Sequence, residues 1–298
     1  MIDSPDIQEK DEGLEIARRM AEEEEGVSRR PTGPTKWVIP TIGVTWSLFQ
    51  LAIASFWILD TIFIRAIHLG FALLIVYLNY PVFKQTRLGL KFLSIKDRIP
   101  PWDFAIAALA CFSAVYIAVD YYGVTARYGA PITRDIIFGL ILLVLLLEAA
   151  RRVIGPALSV IALLFCAYAF FGPYMPDVIA FKGVSLNRFM GQITMSTEGI
   201  YGIPLDVSAT IVFLFVLFGA MLDKAGGGRY FIQLALSFLG GFKGGPAKAA
   251  VLGSGFTGLV SGSSIANIVT TGTFTIPLMK KVGYPATKAA AVEVAAST

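Results

Sequence analysis

Residues 253–283 read GSGFTGLVSGSSIANIVTTGTFTIPLMKKVG, a stretch apolar enough for a membrane yet crowded with glycine, serine and threonine. An ordinary spanning helix has no use for that mixture. Broken backbone survives at membrane depth only where it is buried in protein or lines a wet cavity, so Ser261-Gly262-Ser263-Ser264 reads as the tip of a re-entrant hairpin. Ala247–Leu259 supplies a first arm and Ile265–Leu278 a second, closed by Pro277 and the pair Lys280-Lys281, for a hairpin over about residues 247–281. Arms of about 12 to 15 residues, rising 1.5 Å each, cross only part of a hydrocarbon core of about 30 Å, which stops the tip near the midplane. Such tips offer carbonyls, hydroxyls and half-helix ends to a small ion or an anion. Upstream, Gly240-Gly241-Phe242-Lys243-Gly244-Gly245-Pro246 forms a hinge-like break.

Composition puts the rest of the chain in the same solvent. Of 298 residues, 55% are hydrophobic and 15% charged, with a mean hydropathy of +0.68. Such a chain is too apolar for a soluble fold, and the expected class is an all-α integral membrane protein, a multi-span helical bundle with a re-entrant hairpin. The net charge of +4 does not mark a nucleic-acid binder, because the basic residues are scattered over loops beside apolar runs rather than gathered on a face with stacking aromatics. Cys111 and Cys166 fall inside apolar segments and read as small hydrophobes. Two such residues imply neither a disulfide framework nor a metal site. An enzyme would need a cluster of His, Glu, Asp or Cys within the spans, and His68 is the chain's one histidine.

Windows near Trp37–Ile58, Ile62–Tyr80, Trp102–Tyr121, Arg134–Val153, Pro156–Phe171 and Leu205–Leu222 meet or approach the length a spanning helix requires. Arg29, Arg30 and Lys36 precede the first window. Lys84, Arg87, Lys91, Lys96 and Arg98 separate the second from the third, and Arg151 and Arg152 end the fourth. These basic sides alternate, which places the N-terminus in the cytoplasm and the loop from Asp120 to Arg127 outside. The polar tail before Pro34, with Glu22 to Glu25, reads as solvated, holding at most a helix from Glu9 to Glu25. Gly172 to Pro204 is too polar to cross and is expected along the outer interface. Phe231, Leu234, Ala235 and Phe238 lie at helical spacing, as in a short helix at the inner surface.

The segment SGSSIANIVTTGTFTIPLMKKVGYPATKAAAVEVAAST, residues 261–298, resembles the hairpin and following helix of the DctM-type large membrane subunit of TRAP transporters, the tripartite ATP-independent periplasmic family. The first four spans resemble the small DctQ-type subunit, so the whole is similar to a fused permease. On that resemblance residues 1–34 are a cytoplasmic tail, 35–153 a DctQ-like four-span scaffold, and 154–298 the N-terminal part of a DctM-like transport subunit. The resemblance implies a sodium-driven secondary transporter of the inner membrane that receives a small organic acid from an extracytoplasmic solute-binding protein. It also implies an elevator-type motion of a transport domain against a scaffold. No cofactor follows from it beyond sodium as the coupling ion, and the surrounding partner is membrane lipid.

By the family pattern Ser261, Gly262, Ser263, Ser264 and Asn267 belong to a hairpin that helps form a sodium site beside the substrate, with Ser263, Ser264, Thr270 and Thr271 as substrate positions. Many separate large subunits carry an aspartate where this chain has Asn267, so either the amide oxygen serves in its place or the charge is balanced elsewhere. Thr273 continues the same polar stripe. Gly253, Gly255 and Gly258 read as packing residues, His68 and Arg65 as interfacial side chains, and Glu148 as a local partner of Arg151 and Arg152. Trp37, Trp46, Trp57 and Trp102 read as interfacial anchors. An ion channel and a non-transporting scaffold subunit are the alternatives. Transporters of this architecture pair two inverted repeats, and one hairpin is visible, so the sequence reads as the first half of a longer protein.

Overall fold

A computed structural model describes residues 28–29, 31–82, 98–261 and 264–297. The tail helix expected over Glu9–Glu25, Arg30, the basic residues Lys84, Arg87, Lys91 and Lys96, and the tip residues Gly262 and Ser263 lie outside the described residues. Every regular element among the described residues is a helix: α1 Val38–Ser55, preceded by the 3-10 turn Gly33–Trp37, α2 Thr61–Asn79, α3 Pro101–Val119, α4 Tyr121–Ala126, α5 Thr133–Val153, α6 Pro156–Phe171, α7 Leu186–Thr194, α8 Ile203–Val207, α9 Phe213–Lys224, α10 Gly227–Leu239, α11 Gly245–Ser261, α12 Ser264–Lys281 and α13 Ala286–Ser297. A π turn at Ser208–Val212 joins α8 to α9.

Five stretches among the described residues are long and apolar enough to cross a membrane: Thr35–Ser55, Thr61–Asn79, Pro101–Val119, Pro156–Tyr174 and Ile203–Leu222. The chain is thus a multi-span helical membrane protein. The remaining expected span forms α5, whose 21 residues include Arg134, Asp135, Glu148, Arg151 and Arg152, and those charges set it apart from the five. Proline starts α3 and α6 at positions where its missing N–H costs nothing, and Asp60 caps α2 by accepting the Ile62 N–H at 2.9 Å.

The chain divides into two compact units, residues 25–211 and 212–298. In the first, α2 and α3 pack antiparallel through Ala66, Leu69, Leu73 and Tyr77 against Ala107, Ala110, Ala114 and Ile117. Small residues at that spacing bring the backbones close, and a Cβ on Gly70 would sit 2.9 Å from Val115. Charges gather at both ends of this bundle and are paired there. At one end Arg29 meets Asp103 at 2.5 Å and Arg152 meets the same carboxylate at 3.1 Å. Glu148 binds both Arg151 and Arg152 there, as the local spacing predicts. At the other end Asp135 accepts from Tyr116 at 2.5 Å and from Arg127 at 3.0 Å. Asp120 pairs with Arg127 and Arg134. Those two carboxylates raise the Arg127 guanidinium further above its ordinary range.

His68 corrects its sequence reading. It is buried rather than interfacial, its Nδ1 facing Gln50 and Trp46 and its Nε2 lying 3.3 Å from the Ser208 hydroxyl. Arg65 is mostly buried as well, held by Asp206 at 2.9 Å and the Tyr201 carbonyl at 2.6 Å. Neither partner is near in sequence. The segment between α6 and α8 forms no spanning helix. It presents Phe189 and Met190 of α7 to the interior, and Tyr201 donates to the Ala114 carbonyl at 2.7 Å.

In the second unit α10 lies along α11, while α13 packs on both α11 and α12. The buried face of α10 is Ile232 and Ala235, and Phe238 stays exposed at 67%. Ile232 packs closely at Gly253, where an added Cβ would lie 3.2 Å from the Ile232 Cα. That glycine is a packing residue as expected, whereas a Cβ on Gly255 would meet open space.

Candidate functional site

The hairpin exists, with longer arms than the sequence suggests. α11 has 17 residues and α12 has 18, which at the helical rise is about 25 to 27 Å each, most of a hydrocarbon core of about 30 Å. Pro277 does not close the second arm, since α12 runs on through it to Lys281. A proline inside a helix releases one carbonyl, and the two lysines that follow sit where the helix dipole favours cations. Ser261 ends α11 and Ser264 begins α12, leaving 262–263 as the connection.

Near the open end of the hairpin the contacts are apolar. Ala250, Met279 and Ala289 are buried among Ala247, Ile276, Tyr284 and Val292. Toward the tip they turn polar. Asn267, Thr271 and Thr275 recur every four residues and so share one face of α12, and each is at most 1% exposed. The Asn267 Nδ2 donates to the carbonyl and the hydroxyl of Ser254 on α11, both at 3.0 Å. Ser254 in turn meets Ser297 of α13 at 2.8 Å. The Asn267 Oδ1 is buried and has no partner among the described residues.

Glu293 is the centre of this seam. It projects from α13, is 0% exposed, and its two oxygens receive the hydroxyls of Thr271 and, at 2.5 Å, Thr275. Gly272 makes room for it, because a Cβ there would stand 3.3 Å from the Glu293 Cγ. Both threonine hydroxyls also reach the carbonyl four residues back, Asn267 at 2.8 Å and Thr271 at 3.1 Å. Among the described residues no Lys, Arg or His forms an ion pair with Glu293.

Of the expected site residues, Asn267 and Thr271 come together in the seam. Ser264 is exposed at the start of α12 and makes no part of it, and Thr273 is half-buried. Gly262 and Ser263 lie outside the described residues, and Ser261 and Thr270 enter only through their helical backbone. Ser254, Thr275, Glu293 and Ser297 were absent from the sequence reading. A signal for Glu293 is present in the sequence: it is the one acidic residue in the alanine-rich ATKAAAVEVAAS, and a carboxylate is rarely fully buried unless it has a partner.

Comparison with known proteins agrees with the resemblance. The family described as "Tripartite ATP-independent periplasmic transporter, DctM component" matches residues 141–298, just over half of the chain. The isethionate TRAP transporter permease protein DctMQ of Oleidesulfovibrio alaskensis is 29% identical over 187 residues. The aligned region covers 53% of this chain and 29% of that protein, so the chain spans less than a third of this relative's length. No solved structure matches.

Proposed function

Since the chain belongs to the DctM-component family of the tripartite ATP-independent periplasmic transporters, a family of transporters and not enzymes, we propose that it forms part of a sodium-coupled permease that takes up a small organic acid. A solute-binding protein outside the cytoplasm delivers that acid. The observation that carries the coupling-ion part is the seam of Asn267, Thr271, Thr275 and Glu293, hard oxygen donors buried between the hairpin and the next helix. The DctMQ relative is named for isethionate, a small sulfonate, which fits an organic-anion cargo.

In this reading the membrane is the inner one and the N-terminus is cytoplasmic, by the alternation of basic residues. Residues 35–153 act as the DctQ-like fixed scaffold. Their buried charges are neutralised in place at the bundle ends, as suits a body that does not rearrange. The hairpin belongs to the moving part, with Ser263, Ser264, Thr270 and Thr271 as the positions facing the cargo.

The test is uptake into liposomes holding the permease that carries this chain, supplied with its binding protein and a labelled organic acid. Accumulation under an inward sodium gradient, lost when potassium replaces sodium at equal osmolarity, is the expected result. Equal accumulation in both cations would sink the sodium reading.

A further inference from the structure

Where α9 gives way to α10 the chain turns through Ala225 and Gly226, and a cleft of about 550 Å³ opens beside Phe274 of α12. That volume lies within the range of about 300–1,000 Å³ typical of small-molecule sites. Lys224, Arg229, Tyr230, Gln233 and Phe274 are the side chains that line it, and no carboxylate is among them. Neither Lys224 nor Arg229 forms an ion pair among the described residues. Both differ in this from Arg127 and Arg152 of the first unit, which carboxylates already neutralise. The Arg229 guanidinium lies over the Phe274 ring, 5.0 Å from its centre. A guanidinium held on an aromatic face keeps its fork of N–H donors for a second partner, and the ring restricts the freedom it would lose on binding one. The apolar stretch Ile203–Leu222 ends just before Lys224, which sets the cleft at the depth where hydrocarbon meets headgroups. Phe218 and Met221 of α9 leave apolar surface exposed in the turns leading to it.

We propose that this cleft binds a phosphate group, with the Arg229 fork on two of its oxygens and the Lys224 ammonium as the second positive charge. The Tyr230 hydroxyl and the Gln233 amide are the neutral donors of the same wall. Charge selects the class of ligand. Two cations with no carboxylate among them repel metal ions and amines and attract an anion. Geometry narrows it further, because a planar guanidinium meets paired phosphate oxygens in a bidentate contact, while an ammonium acts as a point charge. The same group reaches the cleft in two forms, as the headgroup of an anionic lipid or as phosphate in solution. A lipid adds acyl chains that lie against the exposed apolar side of α9. Bound in either form, the phosphate ties the end of α9 to α10, and Arg229 passes that contact to Phe274 on the second arm of the hairpin. The site is independent of the coupling ion and of the cargo.

The permease that carries this chain, held in detergent micelles, tests this without a cargo. Its melting temperature is followed by tryptophan fluorescence as a probe replaces acetate at fixed pH and ionic strength. The probes are inorganic phosphate and a short-chain phosphatidylglycerol, with phosphatidylcholine of the same chain length as the control without net charge. A ligand that binds only the folded state raises the melting temperature with concentration, and the curve yields its affinity. At least one probe should do so. A response to phosphatidylglycerol alone assigns the site to lipid, and a response to inorganic phosphate, with or without the lipid, shows that the phosphate group suffices. Arg229→Gln should weaken the response by about tenfold or more, and Lys224→Gln by less. Both side chains lie on exposed residues, so neither substitution opens the core. If Arg229→Gln does not fold, Lys224→Gln decides, since it takes away no ion pair described in the fold. No response to either probe, a response that phosphatidylcholine matches, or one left unchanged in the deciding variant overturns the site.

Discussion

Asp103 and Glu293 are both fully buried carboxylates on helices, and their surroundings are opposite. Asp103 stands between two guanidiniums, Arg29 at 2.5 Å and Arg152 at 3.1 Å. Among the described residues Glu293 accepts from two threonine hydroxyls and from no cation. A charge neutralised by the protein itself is complete and holds helices together. One left with neutral donors keeps the cost of its burial. The contrast separates a carboxylate paired with guanidiniums in residues 25–211 from one held by neutral hydroxyls in residues 212–298.

The sharpest way to break the contrast is to remove Asp103. Asp103→Ala leaves two buried guanidiniums unpaired and should lower the unfolding free energy by about 3–5 kcal/mol, read from denaturant unfolding in micelles. A loss no larger than that of a surface ion pair would mean the cluster is not structural. Packing comes next. Gly253→Leu drives a side chain into the Ile232 backbone, 3.2 Å from where its Cβ would sit, and should cost about 1–3 kcal/mol by the same measurement.

Glu293→Gln is the counterpart to Asp103→Ala and should behave unlike it. In sodium-free choline medium it removes an uncancelled charge, so stability should stay within about 1 kcal/mol of the parent or rise. A loss as large as that of Asp103→Ala would place Glu293 in a structural pair. The smallest effect is expected at Arg134, half exposed at 52% beside Asp120. Arg134→Ala should cost less than about 1 kcal/mol, with the residual effect fading at high salt.

Much of this fold is written in local patterns. Apolar runs located the helices within a few residues, and Glu148 declared its partners by lying three and four positions from Arg151 and Arg152. What escaped the sequence depends on distant partners. His68 reads as interfacial until Gln50 and Ser208 close around it. Arg29 reads as an orientation signal until it reaches Asp103, a contact 74 residues away. At the site, the serine-rich tip drew the eye because small residues break helices. Yet the buried stripe Asn267, Thr271 and Thr275 follows the four-residue period of an intact helix, and its carboxylate comes from another element. Composition marks where a helix stops, whereas only the packing of α13 on α12 shows which polar groups face each other.

The claim that the seam handles the coupling ion is tested most directly at Asn267, which the sequence reading expects in the sodium site and the structure places in the seam. The measurement is the sodium-activation curve of organic-acid uptake by the permease, wild type against Asn267→Leu, with the amount of each in the membrane held equal. The account predicts that the variant needs at least about tenfold more sodium for half-maximal uptake. A curve that overlays the wild type would contradict it.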